Sequence, residues 1–137
     1  MDDLLNRFGN FLINHGAVEG LGIDLSFDYV PDSPDQLVAI IEEVGGQVVF
    51  SAFSRHIKIL VRSGQHNPTW SKVKCWEIFN LLNQEERSID DRGDDPYEDY
   101  SNLWGVLDIK SSPYKLKVDQ NGRYYYCFTF VFVTQGD

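Results

Sequence analysis

Two helical stripes, a series of strand-like segments and an Asn-Gly dipeptide between two alternating runs predict an α+β domain. In it, two helices pack on a sheet that ends in an antiparallel hairpin. The chain of 137 residues fits one domain, 1–137, by length. A domain of that size buries roughly two-thirds of its unfolded surface.

The first helix is read from "DDLLNRFGNFLINHG". Leu4, Leu5, Phe8, Phe11 and Leu12 recur at helical spacing, Asp2 and Asp3 sit in the favourable first turn, and Gly16 is the stop. "IDLSFDYVPDSPDQ" reads as a short extended piece running into a loop punctuated by Pro31 and Pro34. From Leu37, "LVAIIEEVGG" is β-branched and apolar, a buried strand that Gly45-Gly46 is expected to close. "RHIKILVR" alternates: Ile57, Ile59 and Val61 face one side, while His56, Lys58, Leu60 and Arg62 form a largely basic outer face.

The second helix, "NPTWSKVKCWEIFNLLN", opens on Asn67 as a cap with Pro68 at the first helical position. Cys75, Ile78, Phe79 and Leu82 make its buried stripe, widened by Trp76, and this helix is expected to lie across the sheet. Residues 84–99 hold eight acids against two Arg, with Gly93 and Pro96 opposing a long helix, so 84–102 reads as an exposed acidic loop. "LWGVLDI" resumes β structure.

"SSPYKLKV" and "RYYYCFTFVFVT" then form a hairpin. Asn121-Gly122 suits a type I′ turn, whose two central residues need positive φ, and Asp119 and Arg123 flank it as a solvated pair. In the last strand Tyr124, Tyr126, Phe128, Phe130 and Phe132 share one face; Tyr125, Cys127, Thr129, Val131 and Val133 share the other. Both faces are substantially apolar, which predicts a central strand covered on both sides.

Charge is unevenly spread. The net −9 divides into −8 over residues 1–43, +5 over 44–76 and −6 over 77–137. Such a chain does not bind nucleic acid through its overall field, although patches of opposite sign could meet on neighbouring copies. No apolar run approaches the roughly 20 residues needed to span a bilayer. The acidic start "MDDLL" lacks the basic region of a secretory signal, so a protein made and kept in the cytoplasm is expected.

Chemistry-bearing motifs are weak. Cys75 and Cys127 lie inside apolar patterns and read as buried reduced thiols. His15, His56 and His66 lack metal-ligand spacing, and Asp90, Asp91, Asp94 and Asp95 lack the spacing of a calcium loop. There is no phosphate-binding Gly-rich loop or nucleophile elbow, and Glu42-Glu43 lack the Lys two positions on that a nuclease site wants. The expectation is a non-enzymatic protein with no cofactor and no metal.

Several stretches taken in order carry a resemblance: "FDYVPDSPDQLVAIIEEVGG", "RHIKILVR", "KVKCWEIFNLLN" and "SSPYKLKVDQNGRYYYCFTFVFVT". The chain from about Phe27 onward resembles the small phage minor capsid proteins, which are similar to the tail terminator (tail-to-head joining) proteins of long-tailed phages. The most specific markers are Pro34-Asp35, Trp76-Glu77-Ile78, Ser112-Pro113, Asp119, Asn121, Gly122 and Arg123. These are fold markers rather than catalytic groups, and the acidic stretch 84–102 is expanded relative to the family pattern.

The resemblance implies an antiparallel β-sheet with two α-helices packed on it, assembled as a homo-hexameric ring. Such a ring sits at the head–tail interface of the virion. It caps the tail tube, docks to the head completion (stopper) protein, and lets DNA pass without specific binding. Complementary faces between neighbours are expected from a basic stretch (Arg55, Lys58, Arg62) and an acidic one (Asp90, Asp91, Asp94, Asp95, Glu98, Asp99). Net acidity would keep the lumen from gripping DNA. Two rival readings stand beside this: an acidic DNA mimic or other binding module, which the basic middle third opposes, and a small metal hydrolase using the acidic loop.

Overall fold

The structure, a computed structural model, describes residues 4–49, 52–83, 105–109 and 111–135. Its elements run α1 (Leu4–Asn14), β1 (Leu25–Phe27), β2 (Leu37–Val49), β3 (Ala52–Ser63), α2 (Thr69–Asn83), β4 (Gly105–Ile109), β5 (Tyr114–Val118) and β6 (Tyr124–Gln135). The six strands form one sheet in the order β1-β2-β3-β6-β4, with β5 also on β6. The α+β class with two helices on a sheet is therefore what the chain adopts. The acidic stretch 84–102, including all its candidate interface acids, lies outside the described residues.

β6 is the central strand. Along one edge it pairs with β3 from Tyr124↔Ser63 to Gln135↔Ala52. Along the other, β5 takes its first half and β4 its second. Among the described residues the strand pairings are antiparallel except that of β1 with β2, which run parallel. That parallel pair is possible because residues 28–36 return across the face of the sheet away from the helices. Asp28 starts the return at φ 65°, a left-handed conformation that Asp tolerates. Its carboxylate accepts from the Glu42 N–H at 3.0 Å.

The helix side of the sheet carries the main core. Phe8, Phe11 and Leu12 of α1 and Cys75, Ile78 and Leu82 of α2 meet Val38, Ile40, Ile57, Ile59, Val61, Phe128, Phe130 and Phe132. Alternation predicts these strand positions because successive side chains point to opposite faces. The rings pack edge to face, Phe8 on Phe130 at 5.3 Å and Phe79 on Phe128 at 5.4 Å between centroids. Lys74 of α2 donates to the Ala17 carbonyl just past α1, tying the two helices together at 3.0 Å.

One close approach sets how α1 sits. A Cβ on Gly9 would lie 2.7 Å from Phe27 Cζ, so the helix backbone rests directly on that ring. Gly9→Leu is expected to destabilise the protein by about 1–3 kcal/mol through overpacking, although leucine is the better helix former. A urea midpoint at or above that of the wild type would refute the contact.

Four expectations are corrected. Gly45-Gly46 do not close β2, which continues to Val49; they fall where the β2–β3 register shifts between Glu43 and Gln47. Glycine there lets the strand bend without ending. Trp76 does not widen the buried stripe: it is 38% exposed, with its ring at a steep angle to that of Phe79 at 5.3 Å between centroids. The hairpin is present, but its turn is not type I′. Gly122 alone has positive φ, the Gly122 N–H donates to the Asp119 carbonyl, and the Asp119 N–H donates to Arg123. That is a three-residue loop closed by a left-handed glycine. Finally, the outer face of β3 is not an open basic surface, because the 28–36 return covers Leu60 and Arg62.

Candidate functional site

The basic stretch does not form one patch. Arg55 shares the side of β3 that carries Ile57 and Ile59, where its Nε donates to Glu42 at 2.7 Å. Lys58 lies on the opposite face, 3.2 Å from Glu43. Arg62, on the same face as Lys58, is 1% exposed. Its guanidinium donates to the carbonyls of Pro34 and Asp35 at 2.6 and 3.1 Å. A buried guanidinium cannot reach a neighbouring copy, so Arg62 is removed from the expected contact face. It is a clasp that pins the 28–36 return to the sheet.

Residues singled out as family markers meet around a second charged junction. Asp119 accepts from the N–H groups of Asn121 and Arg123 at 2.9 and 3.0 Å, from Arg123 Nε at 2.8 Å, and from the Tyr125 hydroxyl at 3.0 Å. Arg123 then reaches 91 residues back, donating to the Asp32 carbonyl at 2.8 Å and pairing with Asp32 and Asp35. The pair is largely shielded, its side chains only 14% and 12% exposed, and is not the solvated pair the sequence suggested.

Burial alone would raise the Asp119 pKa. The hydrogen bonds from Arg123, Tyr125 and Asn121 outweigh it and hold the carboxyl well below the usual carboxylate range. Because the folded value is depressed, the ionised group stabilises the fold above about pH 4 and loses that effect as pH falls below it. Asp119→Asn is therefore expected to be less stable than wild type at pH 7, with the gap narrowing from about pH 4 towards 2. Urea midpoints across that range check this; a gap independent of pH would overturn it.

Two concavities flank the junction. A cavity of about 320 Å³ is lined by Leu60, Arg62, Lys117, Arg123 and Tyr125 among others. A groove of about 410 Å³ follows the β1 edge, walled by Leu21, Ile23, Phe27, Tyr29, Pro31 and Pro34. Leu21, Ile23 and Tyr29 are each more than half exposed. At the other edge of the sheet β5 is exposed along its whole length, with Tyr114, Leu116 and Val118 open to solvent. Sequence reasoning missed both apolar edges. The available signal was "YKLKV", whose apolar and lysine residues alternate without a covering partner element.

Among the described residues, neither concavity pairs a Ser, Thr or Cys nucleophile with a base. The hydroxyl groups at the groove, among the described residues, belong to Ser26, Ser33 and Tyr29, and Ser26 is engaged with the Tyr29 carbonyl. Both thiols are fully buried, and desolvation, with Cys127 nearby, pushes Cys75 up to about 12, so it stays protonated and inert. Among the described residues no three His, Cys, Asp or Glu side chains converge as a metal site. What this arrangement offers is surface: two apolar edges at opposite ends of one sheet. No family model and no curated protein matches the chain.

Proposed function

We propose that this chain is a structural virion protein of the tail terminator type, a head–tail joining protein acting as a hexameric ring. In this role it caps the tail tube, meets the head completion protein on its other side and lets DNA through its centre without binding it. The protein works at the head–tail interface of the virion, assembled beforehand in the host cytoplasm, and catalyses nothing.

The observation that carries this reading is the convergence of two of the marker groups. Pro34-Asp35 and Asp119, Asn121, Gly122 and Arg123 are far apart in sequence and belong to the resemblance on sequence grounds alone. In the fold they interlock: Arg123 donates to Asp119 at 2.8 Å and stands 3.9 Å from Asp35 as an ion pair, and the Pro34 carbonyl receives Arg62. Residues that lock one fold are what a family pattern without catalytic groups would retain. The net charge of −9 is compatible with passing DNA rather than holding it.

The test is particle mass by light scattering, for the protein alone and mixed with tail tubes of its phage. A hexamer, or a monomer that joins one tube end, supports the reading. A persistent monomer that ignores the tubes overturns it, and competition with labelled duplex-binding proteins would then favour the acidic-mimic alternative.

A further inference from the structure

We infer that neighbouring copies associate head to tail through the two edges of the sheet, the β5 edge of one seating in the β1 groove of the next. The inference rests on the ring reading only for its copy number. The two surfaces are read directly from the fold.

The first observation is exposure. β5 is an end strand: β6 pairs with one of its sides, and among the described residues no strand pairs with the other. An open edge bearing exposed Tyr114, Leu116 and Val118 is an association surface unless something covers it. At the opposite end, Leu21, Ile23 and Tyr29 stand exposed around one apolar groove. Exposed apolar side chains gathered at both ends of a small domain mark interaction sites rather than scatter.

The second observation is charge. Residues 19–35 carry Glu19, Asp24, Asp28, Asp32 and Asp35 and no Lys or Arg. Glu19, Asp24 and Asp28 have no cation partner among the described residues; Asp24 and Asp28 accept only backbone N–H groups. β5 has the opposite sign. Lys115 and Lys117 have no carboxylate partner among the described residues, lying instead over the rings of Tyr124 and Tyr125 at 5.4 and 4.8 Å. Each edge therefore has the apolar residues to bury and the charge that the other lacks. Two like edges meeting would bring lysine to lysine or acid to acid, which selects a heterologous contact over a twofold one.

The third is direction. β1 is parallel to β2, and the successive antiparallel pairings through β3 and β6 leave β5 antiparallel to β1. A sheet continued from copy to copy would thus place β5 antiparallel to the neighbour's β1. The Leu25 carbonyl already accepts from the Gly22 N–H, so the joint at the groove is made chiefly by side chains.

The experiment uses two variants that each spoil one edge, Ile23→Asp in the groove and Leu116→Asp on β5. Both positions are exposed, 56% and 39%, and circular dichroism melts should match wild type. Sedimentation velocity is run on wild type, on each variant, and on their equimolar mixture. Wild type should assemble, and each variant alone should be monomeric, its association weakened by about tenfold or more. The mixture should form a one-to-one dimer and stop there, because only one intact groove and one intact edge remain per pair.

Variants that assemble like wild type would overturn the edge contact and leave the ring reading standing. So would a mixture that stays monomeric while wild type assembles. Wild type that remains monomeric at high concentration also overturns it. Conversely, copies that join by their edges but never engage a tube end would sink the ring reading and keep the contact.

Discussion

Phe130→Ala is expected to lower the unfolding free energy by about 3–5 kcal/mol, the largest effect of any single truncation considered. Phe130 sits in the middle of β6, 1% exposed, with its ring edge to face against Phe8 of α1 at 5.3 Å and tilted against Phe128 at 6.3 Å. Truncation removes the apolar transfer term and the aromatic pairing, and leaves a void that α1 and the sheet can close only by shifting together. A denaturant titration reads this as a lowered midpoint at unchanged slope. A loss below about 1.5 kcal/mol would mean that α1 does not pack on β6 as described.

Arg62→Ala is the second large effect, expected at about 3 kcal/mol. Two main-chain carbonyls, of Pro34 and Asp35, lose their donor, and the space beside Tyr125 empties. The consequence is local as well as global. Amides in 28–36 should exchange faster with solvent than those of β3, since the return is held to the sheet at that point. Arg62→Met should cost less, because it keeps much of the volume and removes a buried cation that has no carboxylate partner among the described residues. Equal losses for Ala and Met would show that the hydrogen bonds, not the packing, carry the clasp. A stability for Arg62→Ala within about 0.5 kcal/mol of wild type would remove the clasp altogether.

These two positions also show how far the sequence can be read. Phe130 was legible. It belongs to a run with period two on both faces, and a strand apolar on both faces must be central, so its burial follows from its neighbours in sequence. Arg62 was not. Alternation put it correctly on the face opposite Ile59 and Val61, but period alone says nothing of what lies over that face. The residues that cover it, Pro34 and Asp35, come from a loop 28 and 27 residues away. Arg55 shows a simpler limit: it was grouped with Lys58 and Arg62 by charge, while its own parity places it on the helix side with Glu42.

What the sequence by itself determined is therefore most of the elements and the core-facing side of the sheet: both helices, the approximate places of the main strands, the hairpin and the aromatic core face of β6. Those properties depend on side-chain periodicity and on local turn residues, which act over a few positions. The tertiary structure alone decided the parallel placing of β1, the passage of β2 through Gly45-Gly46, the burial of Arg62 and the 91-residue reach from Arg123 to Asp32. It also decided which apolar residues stay uncovered, and so where the two edges lie. Each of these depends on which distant segment arrives at a given face, and that choice is made by the packing of the whole chain.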